Sequence, residues 1–331
     1  METIVPTSPK SQKVFWNWDI LWSCNYRCSY CFFAKNWEYS AEKNTFPGIA
    51  ALCAAWDRIY KLYGSCHVHI AGGEPFIYPD FMDLLEFLGK RHTLEMSTNL
   101  SFDVNELMRR VPPGQIKLAP SFHNEFVSYD VFLGKIKTLK SNGYGVGVTM
   151  VAAPRYLKKY AVFKRMFEEE QLHVTLVPLR GKFQGKFYPD AYTDEEKTLL
   201  QIAIVPPPPP PPPPEPAAAT SPAPAAAVPI PSENPSKIFY DWHVDKAYED
   251  MAPSRMCNMG STYGKIHPNG DVLRCCTPGV EDLVRVGNIF DENFRLLDGP
   301  TPCSIQKCGC WKAMVVGDET KWKPIWTDRM Q

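Results

Sequence analysis

LWSCNYRCSYCFF, residues 21–33, decides how the rest of the chain is read. Cys24, Cys28 and Cys31 follow one another as C-x3-C-x2-C, with aromatic residues between and after them. A structural zinc site wants four ligands. Three cysteines within eight residues, with no Cys or His close behind, leave one coordination position open. The next cysteine, Cys53, sits in IAALCAAW on the apolar face of an expected helix, where a thiol serves as packing.

An iron-sulfur cluster held by three thiolates keeps one iron free for a substrate or cofactor, which gives a reason for three thiols rather than four. The cysteine count agrees with metal or redox use. The 331-residue chain has 11 cysteines: three at 24–31, then Cys53 and Cys66, and six in the last quarter at Cys257, Cys275, Cys276, Cys303, Cys308 and Cys310. In a reducing cytosol such clusters serve metals or redox chemistry more often than disulfides. Two groups in two regions suggest two metal sites.

Composition narrows the class. Apolar residues make up 44% and charged residues 22%, as in an ordinary soluble globular protein. Lysine plus arginine equals aspartate plus glutamate at 36 each, so no overall field draws in nucleic acid or an anionic membrane. The first twenty residues lack a basic segment followed by an apolar run, and no apolar stretch approaches the ~20 residues that span a bilayer. The expectation is a soluble, cytoplasmic protein.

Between residues 14 and 205, β-rich runs alternate with amphipathic helical patterns. Strands are expected at 14–22, 67–73, 94–99, 115–123, 145–152 and 173–181. Helices are expected near 47–63, 80–90, 103–110, 128–141 and 159–171, with a last one after 193 capped by Thr193. Six strand-then-helix repeats imply a parallel sheet with right-handed crossovers. Sites on such sheets gather at the carboxyl ends of the strands. Cys24, Gly72, Gly73, Glu74, Thr98, Asn99, Ser121, His123 and Arg180 all fall at those ends.

Nine consecutive prolines at 206–214 form a polyproline II rod of about 28 Å, and the Pro/Ala/Ser remainder up to 236 reads as a disordered linker. The competing reading is a docking site for a proline-recognising partner. Residues 237–331 form a second, smaller unit. In it, YGKIHPNGDVLRCC (263–276) is a hairpin turning at Asn269-Gly270, with Cys275 at the end of its second strand and Cys257 just ahead of its first.

C-x3-C-x2-C after a first strand, Tyr30 before the third cysteine, and Gly72-Gly73-Glu74-Pro75 after the second strand together resemble the radical S-adenosylmethionine (radical SAM) superfamily over residues 14–205. The resemblance implies a partial (β/α)6 TIM-like barrel at 1–205. It implies a 4Fe-4S cluster on Cys24, Cys28 and Cys31, with S-adenosylmethionine on its unique iron. Reductive cleavage of the sulfonium then gives a 5′-deoxyadenosyl radical that abstracts hydrogen from substrate. It further implies a reductant such as a flavodoxin or ferredoxin. Gly72, Gly73, Glu74 and Pro75 are the expected contacts of the methionyl amine, because glycine lets backbone approach a ligand closely. Thr98, Asn99, Ser121 and Arg180 are weaker cofactor contacts, and His123 with Glu125 is a candidate acid–base pair.

Cys257, Gly270-x4-Cys275 and Cys303-x4-Cys308-x-Cys310 resemble the SPASM or twitch extension of that superfamily, with an auxiliary iron-sulfur cluster. The C-x2-C-x5-C-x3-C run of a full SPASM region is missing, so the one-cluster twitch form fits better. Cys257 and Cys275 are its firmest ligands, two of Cys303, Cys308 and Cys310 complete it, and Cys276 alternates to the other strand face. A zinc-ribbon-like knot is the competing reading. The expected activity is radical modification of a peptide or protein side chain. The alternatives are a dehydrogenation, epimerisation or rearrangement of a small molecule such as a sugar or nucleotide, and a non-catalytic iron-sulfur electron carrier.

Overall fold

Strand β1 (Phe15–Leu21) carries alternate large apolar residues that must be covered on one face, and the rest of the fold is arranged to cover them. The computed structural model describes residues 13–31, 44–179, 181–200, 256–275 and 284–302. The 206–236 linker lies outside these residues.

Strands β1, β2 (His67–Gly72), β3 (Thr93–Thr98) and β4 (Ile116–Pro120) pair in parallel in chain order, and β5 (Gly145–Val146) follows on β4. The strand expected at 145–152 is cut at Gly147. Its second half, β6 (Val148–Ala152), pairs in parallel with β7 (Val174–Pro178). The cut falls where Gly147 donates its N–H to the Leu118 carbonyl at 3.2 Å, so the chain leaves β4 and takes a new neighbour. A parallel bridge between Ser121 and Thr149 keeps the two sets of strands together.

Helices α1 (Ile49–Tyr63), α2 (Phe81–Gly89), α3 (Val104–Arg110), α4 (Tyr129–Ser141) and α5 (Leu157–Glu169) fill the crossovers between successive parallel strands. This mixed α/β order with a mainly parallel sheet is the partial TIM-like arrangement expected. Helix starts are set locally. Asp103 accepts from the Asn105 N–H at 2.9 Å, and Ser128 caps Val131 at 3.4 Å. Thr193 and Glu196 form a capping box at the start of α6 (Asp194–Leu199).

The covered sheet face is aromatic. Trp16 and Trp18 of β1 both meet Trp56 of α1, with ring centroids 6.1 and 5.3 Å apart. Val68, Ile70, Leu94 and Met96 continue this layer fully buried, each such side chain contributing about 1.5–3 kcal/mol of burial. On the opposite face a polar row crosses four strands in register: Asn17, His69, Glu95 and Lys117.

The C-terminal hairpin joins the same sheet. β11 (Tyr263–Ile266) pairs in parallel with β1, and β12 (Asp271–Leu273) and β13 (Arg285–Asn288) continue outward antiparallel. Trp16 lies in register with Gly264, where an added Cβ would come within 2.4 Å of the indole ring. Glycine there lets β11 approach. Lys265 pairs with buried Asp19 of β1 at 3.0 Å, Arg58 of α1 donates to the Ile289 carbonyl at 2.5 Å, and Leu296 donates its N–H to the Tyr63 hydroxyl at 2.7 Å. Ile266, Val272, Ile289, Phe294 and Leu296 belong to the main core. Two small pairs complete the described strands, β8 (Gly181–Phe183) with β9 (Lys186–Tyr188) and β10 (Met256–Cys257) with β14 (Thr301–Pro302). Among the described residues, no helix is long and apolar enough to cross a membrane.

Candidate active site

β1 ends in an irregular register, with Asp19 opposite Ala71 but Leu21 opposite Gly72, and the cysteine loop leaves from there. The two glycines hold it. Gly73 donates its N–H to the Leu21 carbonyl at 2.9 Å, and Glu74 donates to the Ser23 carbonyl at 3.0 Å. Gly72 has φ +125°, and an added Cβ would lie 2.0 Å from the Leu21 oxygen; at Gly73 it would lie 1.9 Å from the Ser23 oxygen. The close approach that glycine permits here is that of the chain's own backbone, directly ahead of Cys24.

A pocket of about 300 Å³ opens at the carboxyl ends of the strands. Its wall brings together Cys24, Cys28 and Cys31 with Gly72 and Gly73 from the end of β2. It adds Thr98 and Asn99 from the end of β3, and Ser121 and His123 from the end of β4. Glu74, Pro75 and Glu125 are not part of that lining. Arg180 lies outside the described residues. The wall also takes Val151, Val177, Pro178 and Leu179 from the ends of β6 and β7, which sequence reasoning missed. Their signal was available, since they close two expected strands whose ends were searched only for polar residues.

Glu74 is a fully buried carboxylate with protein partners on both oxygens. It accepts from Thr98 Oγ1 at 2.8 Å, from the Asn99 N–H at 2.6 Å and from the Phe76 N–H at 3.2 Å. Burial pushes its carboxyl up, against the pull of those three donors. Glu74 therefore ties the end of β2 to the end of β3. Asn99 in turn donates to Asn25 Oδ1 at 2.8 Å and reaches the Cys24 sulfur at 3.7 Å, and the Tyr26 N–H donates to the same sulfur at 3.3 Å.

The thiols crowd one another electrostatically. Burial, then Cys31, Glu125 and Cys24, pushes the Cys28 thiol up to about 12. Burial likewise raises Cys24. Such a group ionises readily only when a cation compensates it, as a bound metal does. Among the described residues, no three His, Cys, Asp or Glu side chains converge on a point where one metal ion would sit. A cubane asks for something else, with its thiolates spread over separate iron corners, and three cysteines on one pocket wall are the residues that could offer them.

His123 and Glu125 look to different partners. Burial lowers the His123 imidazole to about 4, and its Nδ1 lies 3.0 Å from the Tyr30 hydroxyl. Glu125 accepts from the Ser29 N–H at 2.7 Å, the Ser29 hydroxyl at 2.5 Å and the Tyr156 hydroxyl at 2.6 Å. Burial alone would raise its carboxyl, and these bonds outweigh it and hold it below the usual range.

In the C-terminal part, Cys257 and Cys275 are both buried. Cys257 faces Thr301 across β10 and β14. Arg274, next to Cys275, donates to the carbonyls of Met259 at 3.2 Å, Pro302 at 3.0 Å and Thr301 at 3.3 Å. The arginine thus joins the Cys275 segment to β14 and to Met259, two residues beyond β10. Cys276, Cys303, Cys308 and Cys310 lie outside the described residues.

No family model matches the chain. No curated protein matches it in sequence. Solved structures do match. Native anSMEcpe with bound AdoMet and a Cp18Cys peptide is 15% identical, with a TM-score of 0.53 over 85% of this chain and 78% of that one. A histidine-tagged form of anSMEcpe with bound AdoMet is 14% identical, with a TM-score of 0.54 over 86% and 76%. Streptococcus suis SuiB is 14% identical, with a TM-score of 0.50 over 86% of this chain and 65% of SuiB. A likeness at this identity speaks for the fold alone, and that fold is one this chain shares with anSMEcpe and SuiB.

Proposed function

We propose that the chain is a radical SAM enzyme that acts on a peptide or protein side chain. The observation that carries the reading is the common pocket wall, where three cysteines meet the two glycines and the polar strand ends of β3 and β4. Cys24, Cys28 and Cys31 would hold a 4Fe-4S cluster. With S-adenosylmethionine bound, that cluster would supply the electron for reductive cleavage of the sulfonium bond.

The chain's own residues hold and shield. Gly72 and Gly73 fix the start of the cysteine loop, and Glu74 fixes Thr98 and Asn99 beside it. Those two, with Ser121, offer polar groups to the amino acid and ribose parts of the cofactor. Val151, Val177, Pro178 and Leu179 form an apolar wall that excludes water from a reactive site. His123, kept uncharged by burial, leaves Nε2 to the substrate as a neutral hydrogen-bonding group while Nδ1 stays with Tyr30. Arg180 is proposed as a further cofactor contact.

The peptide reading draws support from anSMEcpe, whose structure holds a Cp18Cys peptide beside AdoMet. Cys257 and Cys275, with two of Cys303, Cys308 and Cys310, are proposed to hold a second 4Fe-4S cluster, a reading supported by the Arg274 bonds that join the Cys275 segment to Met259 and Pro302. A one-electron donor of the flavodoxin or ferredoxin class would serve as reductant. The test is anaerobic reconstitution with iron, sulfide, dithionite and S-adenosylmethionine, assayed for 5′-deoxyadenosine. Formation of that product supports the enzyme. A cluster without cleavage points to the electron carrier instead.

A further inference from the structure

Glu125 is the strongest charged group at the site that the proposed chemistry does not use. Both carboxylate oxygens are engaged, Oε2 by the Ser29 N–H and Oε1 by the hydroxyls of Ser29 and Tyr156. Ser29 lies 96 residues away in sequence and stands between Cys28 and Cys31. Its N–H belongs to the peptide bond that Cys28 itself forms. The carboxylate therefore grips the cysteine loop from the loop after β4, one residue along from Cys28. Neighbouring contacts reinforce the grip. Tyr26 stacks on Phe126 with centroids 4.7 Å apart, and Tyr160 donates to Asn124 Oδ1 at 2.8 Å.

From this geometry we infer that Glu125 is a positioning residue that clamps the cysteine loop and lowers the reduction potential of the cluster the loop would hold. The inference rests on the proposed cluster site. The physics is electrostatic. Reduction takes one electron from a low-potential donor of the flavodoxin or ferredoxin class and adds one negative charge to the cluster, with no proton moved. A fixed anion beside a ligand disfavours that added charge. The bonding pattern acts in the same direction. An N–H that donates to a cluster sulfur raises the potential, and Ser29's N–H is given to Glu125 instead. Among the described residues, Arg155, whose guanidinium lies 4.7 Å over the Tyr156 ring, is a countercharge to Glu125, and Arg27 on the loop itself donates to the Cys24 carbonyl. A lower potential suits a centre whose electron must break a sulfonium bond.

The experiment compares the anaerobically reconstituted full chain with its Glu125→Gln, Glu125→Asp and Tyr156→Phe variants. Iron content is measured together with a redox titration followed by the electron paramagnetic resonance of the reduced cluster. Glu125→Gln keeps the shape and loses the charge, so its midpoint potential moves positive. Glu125→Asp and Tyr156→Phe keep the charge and stay near the parent. An unchanged potential in a fully loaded Glu125→Gln protein overturns the inference, and so does an equal shift in all three. If Glu125→Gln takes up no iron, full uptake by Glu125→Asp supports the charged clamp, and loss in both overturns it. A parent protein without any cluster overturns the proposed function as well, which separates the two failures.

Discussion

Gly73 and Ser23 stand so close that a methyl group on the glycine would lie 1.9 Å from the serine carbonyl oxygen. Ser23 precedes Cys24, so the contact sets where the cysteine loop begins. Gly73→Ala must push the loop away. The expected cost is about 2 kcal/mol of stability, by analogy with overpacked cores, with a marked fall in iron uptake on reconstitution. Urea unfolding and iron quantitation check it, and normal iron uptake by the variant would contradict it.

Glu74 is expected to behave as a brace. Glu74→Gln puts an amide N–H₂ in place of either Oε1, which accepts from Thr98 Oγ1 and the Phe76 N–H, or Oε2, which accepts from the Asn99 N–H. At least one buried donor loses its partner, at about 1–3 kcal/mol. Denaturant midpoints should fall accordingly. A midpoint equal to the parent's would show that the carboxylate is not needed to join β2 to β3.

The Asp19–Lys265 pair makes the attachment of β11 to β1 pH-sensitive. Burial opposes ionisation of Asp19, and Lys265 foremost, then His267, outweighs it, so its carboxyl lies below the usual value. The stability it contributes is therefore present above the unfolded value near pH ~4 and is lost as pH falls through the lower folded value. Lys265→Met should cost on the order of 2 kcal/mol at pH 7, between exposed and fully buried pairs. The difference from the parent should shrink as pH falls below about 4. A difference that stays constant in urea titrations across that range would refute the linkage.

Gly264 is predicted to admit no side chain. Gly264→Val drives two methyls into the Trp16 indole, and the variant should lose about 1–3 kcal/mol. Tryptophan emission should report the displaced ring. An unshifted spectrum with full stability would mean that β11 does not lie against β1 as described.

Much of this was legible in the sequence, for physical reasons that differ from place to place. The β-branched and aromatic runs gave β1 to β4 and β7 within a few residues, because strand alternation and crossover length are local signals. Thr193 announced its helix through a short side chain that bonds the next turn. The triple cysteine announced itself through spacing. The break at Gly147 was hidden, since it depends on which neighbour each half finds. Equally hidden was the parallel seat of β11 on β1, which joins Trp16 to Gly264 across most of the chain. Glu74 and Glu125 were placed in sequence but not in role. A carboxylate reads the same whether it faces a ligand or a backbone amide, and only the partners Thr98, Asn99 and Ser29 decide between those uses.

The central claim is that three thiols on the loop after β1 hold a cluster with one iron open to S-adenosylmethionine. It is tested most directly by 5′-deoxyadenosine release from the anaerobically reconstituted, dithionite-reduced chain and its alanine variants. The account predicts product from the parent and from Cys53→Ala, and none from Cys24→Ala, Cys28→Ala or Cys31→Ala. Product that persists in any of those three, or is absent from a parent carrying a full cluster, would contradict it.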